Sequence, residues 1–269
     1  MGMNESGVEN QLTELTVSIV SHGHGECLKR LFADIESQDL GAHLKVLLTL
    51  NLPGETFCTS SYPGISIDII RNSSPAGFGH NHNKAFAKCR TKYFLILNPD
   101  VRLREPGVLR SLVDLARKDG GDGLWAPLIT NLDGVVEDSV RHNLSPLSVA
   151  KRALRRETPI SRELSSTDNG PFFWVAGMAM LVTSDAFRRV GGFDQRFFLY
   201  CEDYDLCARF YAAGLPIRCV SQVVFIHDAQ RDSHRSMKYF RLHVTSLLKV
   251  WMSGAYWRVV FGGNRRGER

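Results

Sequence analysis

Several familiar sequence signals are missing from this chain of 269 residues. Its glycines form neither a Rossmann G-x-G-x-x-G nor a Walker loop with a G-K-[ST] ending, which removes support for hydride transfer and for P-loop chemistry. No window approaches the roughly 18 apolar residues of a membrane-spanning helix. The N-terminal segment MGMNESGVENQLTEL lacks the basic flank and the apolar run of a signal peptide, so we expect neither a leader nor a transmembrane segment.

Cysteine pairs are also missing. The six cysteines contain no C-x-x-C pair and are scattered through apparently buried elements, at positions 27, 58, 89, 201, 207 and 219. This spacing does not match a disulfide framework and is typical of reduced thiols. We therefore expect a cytoplasmic protein.

Length and composition indicate one globular catalytic domain. With 43% hydrophobic and 23% charged residues, the chain has the composition of a folded protein, and an α/β sheet of this size is commonly a single domain. We predict a flexible N-terminus (1–14), a catalytic domain (15–235) and an amphipathic, basic helical tail (236–269). The polar and basic segment 131–169 is expected to be a mobile insertion rather than a separate domain.

Positive charge is unevenly distributed along the chain, whose formal net charge is +5. Two basic clusters stand out: Lys151, Arg152, Arg155 and Arg156, followed by Arg265, Arg266 and Arg269. Such clusters favour anionic partners. No helix-turn-helix, zinc-finger or RNA-binding signature accompanies them, so we expect no nucleic acid and prefer an anionic lipid surface or a pyrophosphate.

Strand and helix signals alternate along the first half of the chain. Four short apolar runs are typical of buried strands: Leu15–Val20, Leu44–Leu50, Ile65–Ile70 and Tyr93–Leu97. Helical patterns separate or follow them, as at Val108–Arg117. This alternation predicts an α/β fold with a mostly parallel sheet covered by helices on both faces.

Polar side chains follow several of these strands. Ligands of open α/β sheets bind outside the carboxyl ends of the strands, where this chain places Ser21, Asn51, Asn98 and Asp100. The Asp100 carboxylate could bridge a hard divalent cation to phosphate oxygens, and ordinary turn chemistry after a proline is the alternative. His227 ends a later apolar run and is either a second ligand of that cation or a loop histidine.

Three carboxylates crowd together at one helix start, namely Glu202, Asp203 and Asp205. At helical spacing they lie on different faces and repel one another. Helix capping and compensation of the helix dipole account for one or two of them. The functional alternative assigns one carboxylate as general base for an attacking hydroxyl and leaves the others to orient neighbouring groups.

The C-terminal tail has an amphipathic pattern. Apolar residues recur at mostly three- and four-residue spacings: Met237, Phe240, Val244, Leu247, Leu248 and Trp251. A helix packed on the catalytic domain and a helix lying in a membrane interface both fit this pattern. Trp257, Phe261 and the terminal arginines favour the membrane surface, where such residues act as anchors.

These motifs together resemble those of the family-2 inverting glycosyltransferases with a GT-A fold, over roughly Leu15 to His234. The resemblance is carried by VSIVSHGH, GFGHNHNKAF, LILNPD, WVAGMAMLV and GGFDQRFFLYCEDYDLCARFYAAG, with a later IHD. Within that family the chain is most similar to the rhamnosyltransferases of O-antigen assembly, through VSHGH, GFGHNHN, YCEDYDLC and IHDAQRDSHRS. Those enzymes transfer L-rhamnose from dTDP-rhamnose to N-acetylglucosamine-diphospho-undecaprenol.

The resemblance implies roles for individual residues. Asp203 matches the catalytic base. Asp100 matches a ligand of the divalent metal, Mg²⁺ or Mn²⁺, that binds the donor diphosphate. Asn98 stands where many relatives have the first Asp of an Asp-x-Asp motif, so one anionic ligand is lost and His227 gains importance as a second protein ligand.

Other matching positions are implied to line the substrate sites. On the nucleotide-sugar side these are Ser21, Asn51, Asn83, Asn98 and Asp100. On the acceptor side they are Trp174, Gly177 and Glu202. Many relatives have an Asp-Asn pair where this chain has Leu50-Asn51, so recognition of the nucleotide base is expected to differ.

The implied function is an inverting transfer of L-rhamnose from dTDP-rhamnose to a polyprenyl-diphosphate-linked sugar, by a peripheral protein on the cytoplasmic face of the inner membrane. A different dTDP- or UDP-sugar is the first alternative. A non-catalytic protein that binds nucleotide-sugars and docks on membranes is the second, although the retained Asp100, Glu202 and Asp203 argue against it. A nucleotidyltransferase is a third, but no glycine-rich, lysine-bearing phosphate loop lies near the N-terminus.

Overall fold

The computed structural model describes residues 14–38, 40, 43–153, 164–166, 171–228 and 237–262. Most of the predicted flexible N-terminus (1–14) lies outside the described residues, as do Arg155, Arg156, Arg265, Arg266 and Arg269. Lys151 and Arg152 are described only through the backbone of a helix. The predicted insertion 131–169 is described up to residue 153 and again at 164–166.

Strands and helices alternate along the described chain. The strands are β1 (Leu15–Ser21), β2 (Leu44–Leu50), β3 (Ser66–Arg71), β4 (Tyr93–Leu97), β5 (Val101–Arg102), β6 (Leu124–Thr130), β7 (Val140–His142), β8 (Leu164–Ser166), β9 (Phe173–Val175), β10 (Ala179–Thr183) and β11 (Ile217–His227). The α-helices are α1 (Gly25–Glu36), α2 (Phe78–Phe86), α3 (Val108–Asp119), α4 (Pro146–Ala153), α5 (Ser184–Arg189), α6 (Glu202–Ala212), α7 (Met237–Trp251) and α8 (Gly254–Gly262). A short 3₁₀-helix spans Thr59–Ser61.

Most strands join one large sheet, in the order β3-β2-β1-β4-β10-β6-β11-β5, with β8 also paired to β11. The first four strands of the chain are parallel to one another, and β6 is parallel to β11. β10 runs antiparallel between β4 and β6. The predicted α/β fold is confirmed, and the second half of the sheet adds antiparallel pairings to the parallel first half.

Helices cover both faces of this sheet, as the sequence predicts. On one face, α1 and α3 pack into a core that includes the fully buried Phe32 and Leu109. On the other face, α2, α5 and α6 pack around Phe187 and Phe210. Because both faces are covered, the inner strands are buried nearly throughout, as are six of the seven residues of β1 and all five of β4.

One edge of the sheet collects the ends of several elements. The parallel strands β1, β2 and β4 all end there, and antiparallel β10 begins there, because the Asn98 N–H donates to the Met178 carbonyl at 2.9 Å. β11 also ends there at His227, and the next N–H, that of Asp228, donates to the Asp100 carbonyl at 2.8 Å. The topology therefore concentrates polar side chains from distant parts of the sequence at a single edge.

The C-terminal helices pack on the catalytic domain and also expose apolar side chains. Their inner faces pack on the catalytic domain through buried residues, among them Leu247, Val250 and Tyr256. Their outer face keeps a row of exposed apolar side chains, called here the α7 stripe: Met237, Phe240, Val244, Leu248 and Met252. None of the helices in the described ranges has the length and apolarity needed to cross a membrane.

Candidate active site

The carboxylate of Asp100 forms one end of the site. Asp100 follows β4 through Asn98 and Pro99, and its Oδ2 lies 3.2 Å from Nε2 of His227. The other ring nitrogen of His227, Nδ1, lies 2.7 Å from Oε2 of Glu137. Oδ1 of Asp100 is buried and has no hydrogen-bond partner in the described part of the chain. The two predicted metal ligands are thus adjacent, and Glu137 lies behind the imidazole.

The chemistry of Asp100 and His227 suits a divalent cation. Burial lowers the pKa of His227, but hydrogen bonds and charge attraction from Asp100 and Glu137 outweigh burial and raise the pKa to about 9. A protonated imidazole therefore lies between two carboxylates at neutral pH, in a position where a metal ion can replace the proton. The unpaired Oδ1 of Asp100 is a hard oxygen ligand. Among the described residues, no cluster of three or more His, Cys, Asp or Glu suits a metal ion.

The other end of the site is the start of α6. Asp203 Oδ1 accepts a hydrogen bond from the Tyr204 N–H at 2.8 Å, and Oδ2 accepts one from the Gly177 N–H at 3.1 Å. Glycine is favoured at position 177 because a Cβ there would lie 3.1 Å from the Phe78 ring. Asp203 is therefore held in place by the backbone that leads into β10.

The backbone that enters α6 is strained. Tyr200 and Cys201 have φ values of 72° and 64°, in the left-handed region that non-glycine residues rarely adopt. Such residues cost about 1–3 kcal/mol each and persist only where the surroundings hold them. Cys201 is buried, and the Tyr200 ring packs edge-on against His243, with ring centroids 5.2 Å apart. This turn directs the first residues of α6, including Asp203, toward the edge of the sheet.

Glu202 and Asp203 are adjacent buried carboxylates, and the pKa of each is raised. Burial and the charge of Asp203 raise the pKa of Glu202 to about 8. Burial also raises the pKa of Asp203, but the N–H groups of Tyr204 and Gly177 and the charge of Arg141 oppose that rise. The backbone N–H groups favour the charged form of Asp203, whereas the buried Oε2 of Glu202 has no hydrogen-bond partner in the described part of the chain. Of the two predicted residues, Asp203 is therefore the better positioned to accept a proton from a substrate.

The raised pKa of Glu202 predicts a pH-dependent stability difference from the Glu202→Gln variant. Because its pKa rises from the ordinary 4.5 to about 8 on folding, the stability that protonated Glu202 contributes is full below about pH 4.5 and is lost as the pH rises through about 8. The variant has no such group. We expect the Tm of the native chain minus that of the variant to fall steadily between roughly pH 5 and pH 9, measured by differential scanning fluorimetry. A constant difference across this range would contradict the assignment.

A two-stranded ribbon places an arginine beside Asp203. β7 pairs with β9 so that Arg141 lies opposite Trp174, and the guanidinium carbon is 4.9 Å from the centre of the Trp174 ring system. Nε of Arg141 lies 3.2 Å from Oδ1 of Asp138. The Trp174 indole N–H donates to the His142 carbonyl at 2.9 Å. Trp174 is buried, so it supports Arg141, and its direct contact with an acceptor stays a prediction.

Sequence reasoning missed both Arg141 and Glu137. They lie in and just before β7, inside the segment that was expected to be a mobile insertion, and no motif marks either residue. The only available signal was their charge within an otherwise polar stretch. The position of Arg141 follows from the pairing of β7 with β9, and that of Glu137 from its contact with His227.

The loop after β1 forms a third part of the site. The Ser21 hydroxyl donates a short hydrogen bond to the Glu55 carboxylate, and the Gly23 N–H donates to the same oxygen at 3.0 Å. His24 lies close enough to feel the charges of both Asp100 and Glu55, although burial dominates and lowers its pKa. Ser21, which was predicted to bind the nucleotide-sugar, is therefore buried, and its hydroxyl pairs with the Glu55 carboxylate. Glu55 was not identified from the sequence.

A cavity opens at the carboxyl ends of β2 and β3. Its volume is about 280 Å³, close to the lower end of ordinary small-molecule sites. Its lining includes Leu52, Glu55, Arg71 and Asn72. The carbon atoms of a planar ring can pack on Leu52, and its polar atoms can form hydrogen bonds with the charged side chains of Glu55 and Arg71 and with the Asn72 amide. The cavity therefore suits a planar polar group such as a nucleobase.

Asn51 and Asn83 hold loops together. The Asn51 side chain accepts hydrogen bonds from the Ala76 N–H and the Asn72 amide, both at 2.9 Å, and donates to the Ala76 carbonyl at 3.1 Å. Asn83 bonds the N–H and carbonyl of Phe193 at 2.9 and 2.7 Å. These bonds make both residues positioning groups. Direct contact of Asn51, Asn83 or the half-buried Asn98 with the nucleotide-sugar stays a prediction.

Sequence comparison finds relatives that span nearly the whole chain, although no protein-family model matches it. Rhamnosyltransferase WbbL of Escherichia coli strain K12 is 31% identical, over 87% of this chain and 90% of that protein. The N-acetylglucosaminyl-diphospho-decaprenol L-rhamnosyltransferase of Mycobacterium tuberculosis strain H37Rv is 26% identical, over 94% of this chain and 90% of that protein.

Solved structures with the same fold include a mannosyltransferase and a protein in complex with a nucleotide-sugar. Mannosyltransferase PcManGT from Pyrobaculum calidifontis, in complex with GDP-Man and Mn²⁺, has a TM-score of 0.63 at 15% identity, with 90% of this chain covered. The chain spans 65% of that protein, just under two thirds of its length. Residues 1–349 of S. aureus TarS, in complex with UDP-GlcNAc, have a TM-score of 0.61 at 9% identity, covering 94% of this chain and 72% of that one. At these identities the likeness establishes the fold.

Proposed function

The chain belongs to the family-2 rhamnosyltransferases of the GT-A fold, and from that membership we propose that it transfers L-rhamnose from dTDP-L-rhamnose to a GlcNAc-diphospho-polyprenol acceptor. The observation that carries the proposal is the position of the Asp203 carboxylate, which two backbone N–H groups hold beside Glu202 at the same sheet edge as Asp100. The acceptor class is supported by the name of the mycobacterial relative, which acts on a diphospho-decaprenol.

Transfer proceeds in one displacement with inversion at the sugar carbon. Asp203 removes the proton of the acceptor hydroxyl as that oxygen attacks the anomeric carbon, while the bond to the nucleotide diphosphate breaks on the opposite face. A β-linked donor therefore gives an α-rhamnoside. Protonated Glu202 keeps a second negative charge away from the attacking oxygen, and Arg141 offsets the charge of Asp203 before the proton arrives.

Asp100 and His227 would hold a divalent metal, Mg²⁺ or Mn²⁺, together with the donor diphosphate. A bound metal supplies positive charge that stabilises the departing diphosphate. Glu137 fixes the imidazole of His227 through its 2.7 Å hydrogen bond, as carboxylates commonly do for metal-binding histidines. The proposal is supported by the Mn²⁺ in the mannosyltransferase structure of the same fold and by the unpaired oxygen of Asp100.

The 280 Å³ cavity beside Glu55 and Arg71 would take the nucleoside of the donor. Another dTDP- or UDP-sugar is the alternative donor, since this cavity would contact the base and not the sugar. A non-catalytic nucleotide-sugar-binding protein is the alternative from another class, and the Asp203 carboxylate, held at the site by two backbone N–H groups, favours turnover over it.

Thermal unfolding in the presence of nucleotide-sugars tests the donor. We expect dTDP-rhamnose with Mn²⁺ to raise Tm, because a ligand at 100 times its Kd adds about 2.7 kcal/mol to the free energy of unfolding. UDP-GlcNAc and GDP-mannose, tested at the same concentrations, are the controls and should give smaller shifts. Equal shifts with all three would reject dTDP-rhamnose as the preferred donor, and no shift with any of them would reject the enzyme assignment.

The α7 stripe is proposed to rest on an anionic membrane surface, on the cytoplasmic side of the inner membrane. A lipid-linked acceptor resides in a bilayer, so its enzyme gains from being held there. The stripe runs along one side of α7 and into the turn after it, with Met237, Phe240 and Met252 exposed by 72%, 65% and 76%. The exposed Arg241 on the same helix adds positive charge for anionic lipids.

Vesicle flotation tests the membrane surface. The double variant Phe240→Ser/Leu248→Ser should lose most of its flotation with anionic vesicles, because each buried apolar side chain contributes roughly 1.5–3 kcal/mol. The matched control is Leu132→Ser/Val135→Ser, which removes two equally exposed apolar side chains from a turn elsewhere. If both double variants float like the native chain, the α7 stripe is not the docking surface.

A further inference from the structure

A second apolar surface lies between α6 and α8, apart from the α7 stripe. It is a groove of about 410 Å³ lined by Tyr211, Ala212, Gly254, Trp257, Arg258 and Phe261, and we call it the α6/α8 groove. Its volume falls within the range of about 300–1,000 Å³ that is usual for small-molecule sites. Ala212 and Gly254 contribute no large side chain to the lining.

Two aromatic rings form one wall of the groove. The rings of Trp257 and Phe261 stack with centroids 5.3 Å apart and an interplanar angle of 14°. Trp257 is 46% exposed and Phe261 is 59% exposed, although both are large apolar residues that burial would stabilise. Single exposed apolar residues are ordinary, but a stacked pair beside an open groove is a surface suited to an apolar ligand.

The groove lies on the same helix as Asp203. α6 begins with Glu202 and Asp203 and reaches the groove at Tyr211, and eight residues at 1.5 Å each give about 12 Å between them. α8 runs beside α6, with the Tyr256 ring 6.5 Å from the Tyr204 ring. In the proposed acceptor, a sugar and a diphosphate separate the attacking hydroxyl from the first isoprene unit. Those two groups together span a distance of this order.

The charge of the groove also fits such an acceptor. Arg258 is the charged residue of the described lining, and no acidic side chain contributes to it. An arginine at the rim of an apolar groove suits a ligand in which an anionic diphosphate is followed by a hydrocarbon chain.

We propose that the α6/α8 groove binds the first isoprene units of the acceptor lipid, an inference that rests on the proposed function. The groove is too small for a complete polyprenyl chain, so the remainder of the lipid stays in the bilayer. Binding of the first units would place the diphosphate near Arg258 and the sugar near Asp203. The α7 stripe would hold the protein on the membrane, and the groove would select the lipid within it.

Water-soluble acceptors test lipid binding in the α6/α8 groove without a membrane. Two acceptors carry the same GlcNAc-diphosphate, one esterified to geraniol with two isoprene units and the other to ethanol. The native chain should prefer the geranyl acceptor through a lower KM. Phe261→Ala should reduce that preference roughly tenfold, and Trp257→Ala serves as a second variant. Phe240→Ala is the matched control because Phe240 is exposed to a similar extent, 65% against 59%, but lies on the α7 stripe.

The outcomes separate this inference from the function on which it rests. A lost preference in Phe261→Ala with a retained preference in Phe240→Ala, at unchanged kcat, supports the groove. Equal KM values for the two acceptors in the native chain would overturn the groove while leaving rhamnosyl transfer intact. A change in oligomeric state without a change in preference, measured by light scattering, would show that a second copy of the chain occupies this surface instead. Transfer to neither acceptor would overturn both the function and the groove.

Discussion

Replacing Asp203 with asparagine is expected to lower kcat about 10²–10⁴-fold, the usual contribution of a positioned general base. Asparagine keeps the shape of the side chain and one oxygen for the backbone N–H groups, but it cannot accept the proton of the acceptor hydroxyl. The measurement is transfer of labelled rhamnose from dTDP-rhamnose to a GlcNAc-diphospho-lipid under saturating substrate. Circular dichroism and Tm should stay close to those of the native chain.

Glu202→Gln is the matched control for this substitution. Glu202 is adjacent, buried and expected to be protonated at neutral pH, so a neutral glutamine resembles its working form. We expect kcat within a few-fold of the native value at pH 7. If Glu202→Gln lost as much activity as Asp203→Asn, the base would have to be assigned to the pair or to Glu202.

Replacing Asp100 with asparagine is expected to weaken Mn²⁺ binding and to lower kcat/KM by at least about 100-fold. A metal that stabilises charge on a phosphoryl leaving group is worth several kcal/mol, and each 1.36 kcal/mol is tenfold in rate. Asn98 already leaves the site one carboxylate short, so loss of Asp100 removes the remaining acid of that motif. Mn²⁺ affinity is measured by electron paramagnetic resonance with dTDP present, independently of turnover.

Asp228→Asn is the control for the metal prediction. Asp228 lies next to the site, since its N–H donates to the Asp100 carbonyl, but its carboxylate pairs with Arg30 at 3.2 Å. Its removal should leave Mn²⁺ affinity unchanged within about twofold. Equal Mn²⁺ affinity in Asp100→Asn and in the native chain would show that Asp100 is not a metal ligand.

Much of the sheet could be predicted from the sequence because its strands are apolar runs with sharp polar ends. β2 and β4 have the predicted bounds, and β1 and β3 differ from them by one residue. The same reasoning identified Asp100, which comes shortly after such a run, and His227, which ends one. Asp203 was found through its motif: three carboxylates at one helix start marked the segment, and the family resemblance implied which of them is the base.

The rest depended on pairings between distant segments. β10 is a short apolar run like the others, and its antiparallel direction, which brings Gly177 to Asp203, follows from the three-dimensional arrangement. Glu55 and Glu137 lie in loops and Arg141 lies in a strand of three residues, so periodicity carries no information about them. Asn51 and Asn83 are the opposite case. Asn51 at a strand end and Asn83 in a motif were predicted to contact the nucleotide-sugar. In the structure, their side chains form hydrogen bonds that hold loops together.

The most direct test of the central claim is the identity and anomeric configuration of the product. The purified full-length chain is incubated with dTDP-β-L-rhamnose, Mn²⁺ and GlcNAc-diphospho-undecaprenol, and the released disaccharide is analysed by mass spectrometry and by the one-bond C1–H1 coupling in nuclear magnetic resonance. We predict a rhamnosyl-GlcNAc product with an α-linkage, formed by the native chain and reduced to near background in Asp203→Asn. A β-linked product would contradict inversion at Asp203, and the absence of any rhamnosylated product would contradict the assigned function.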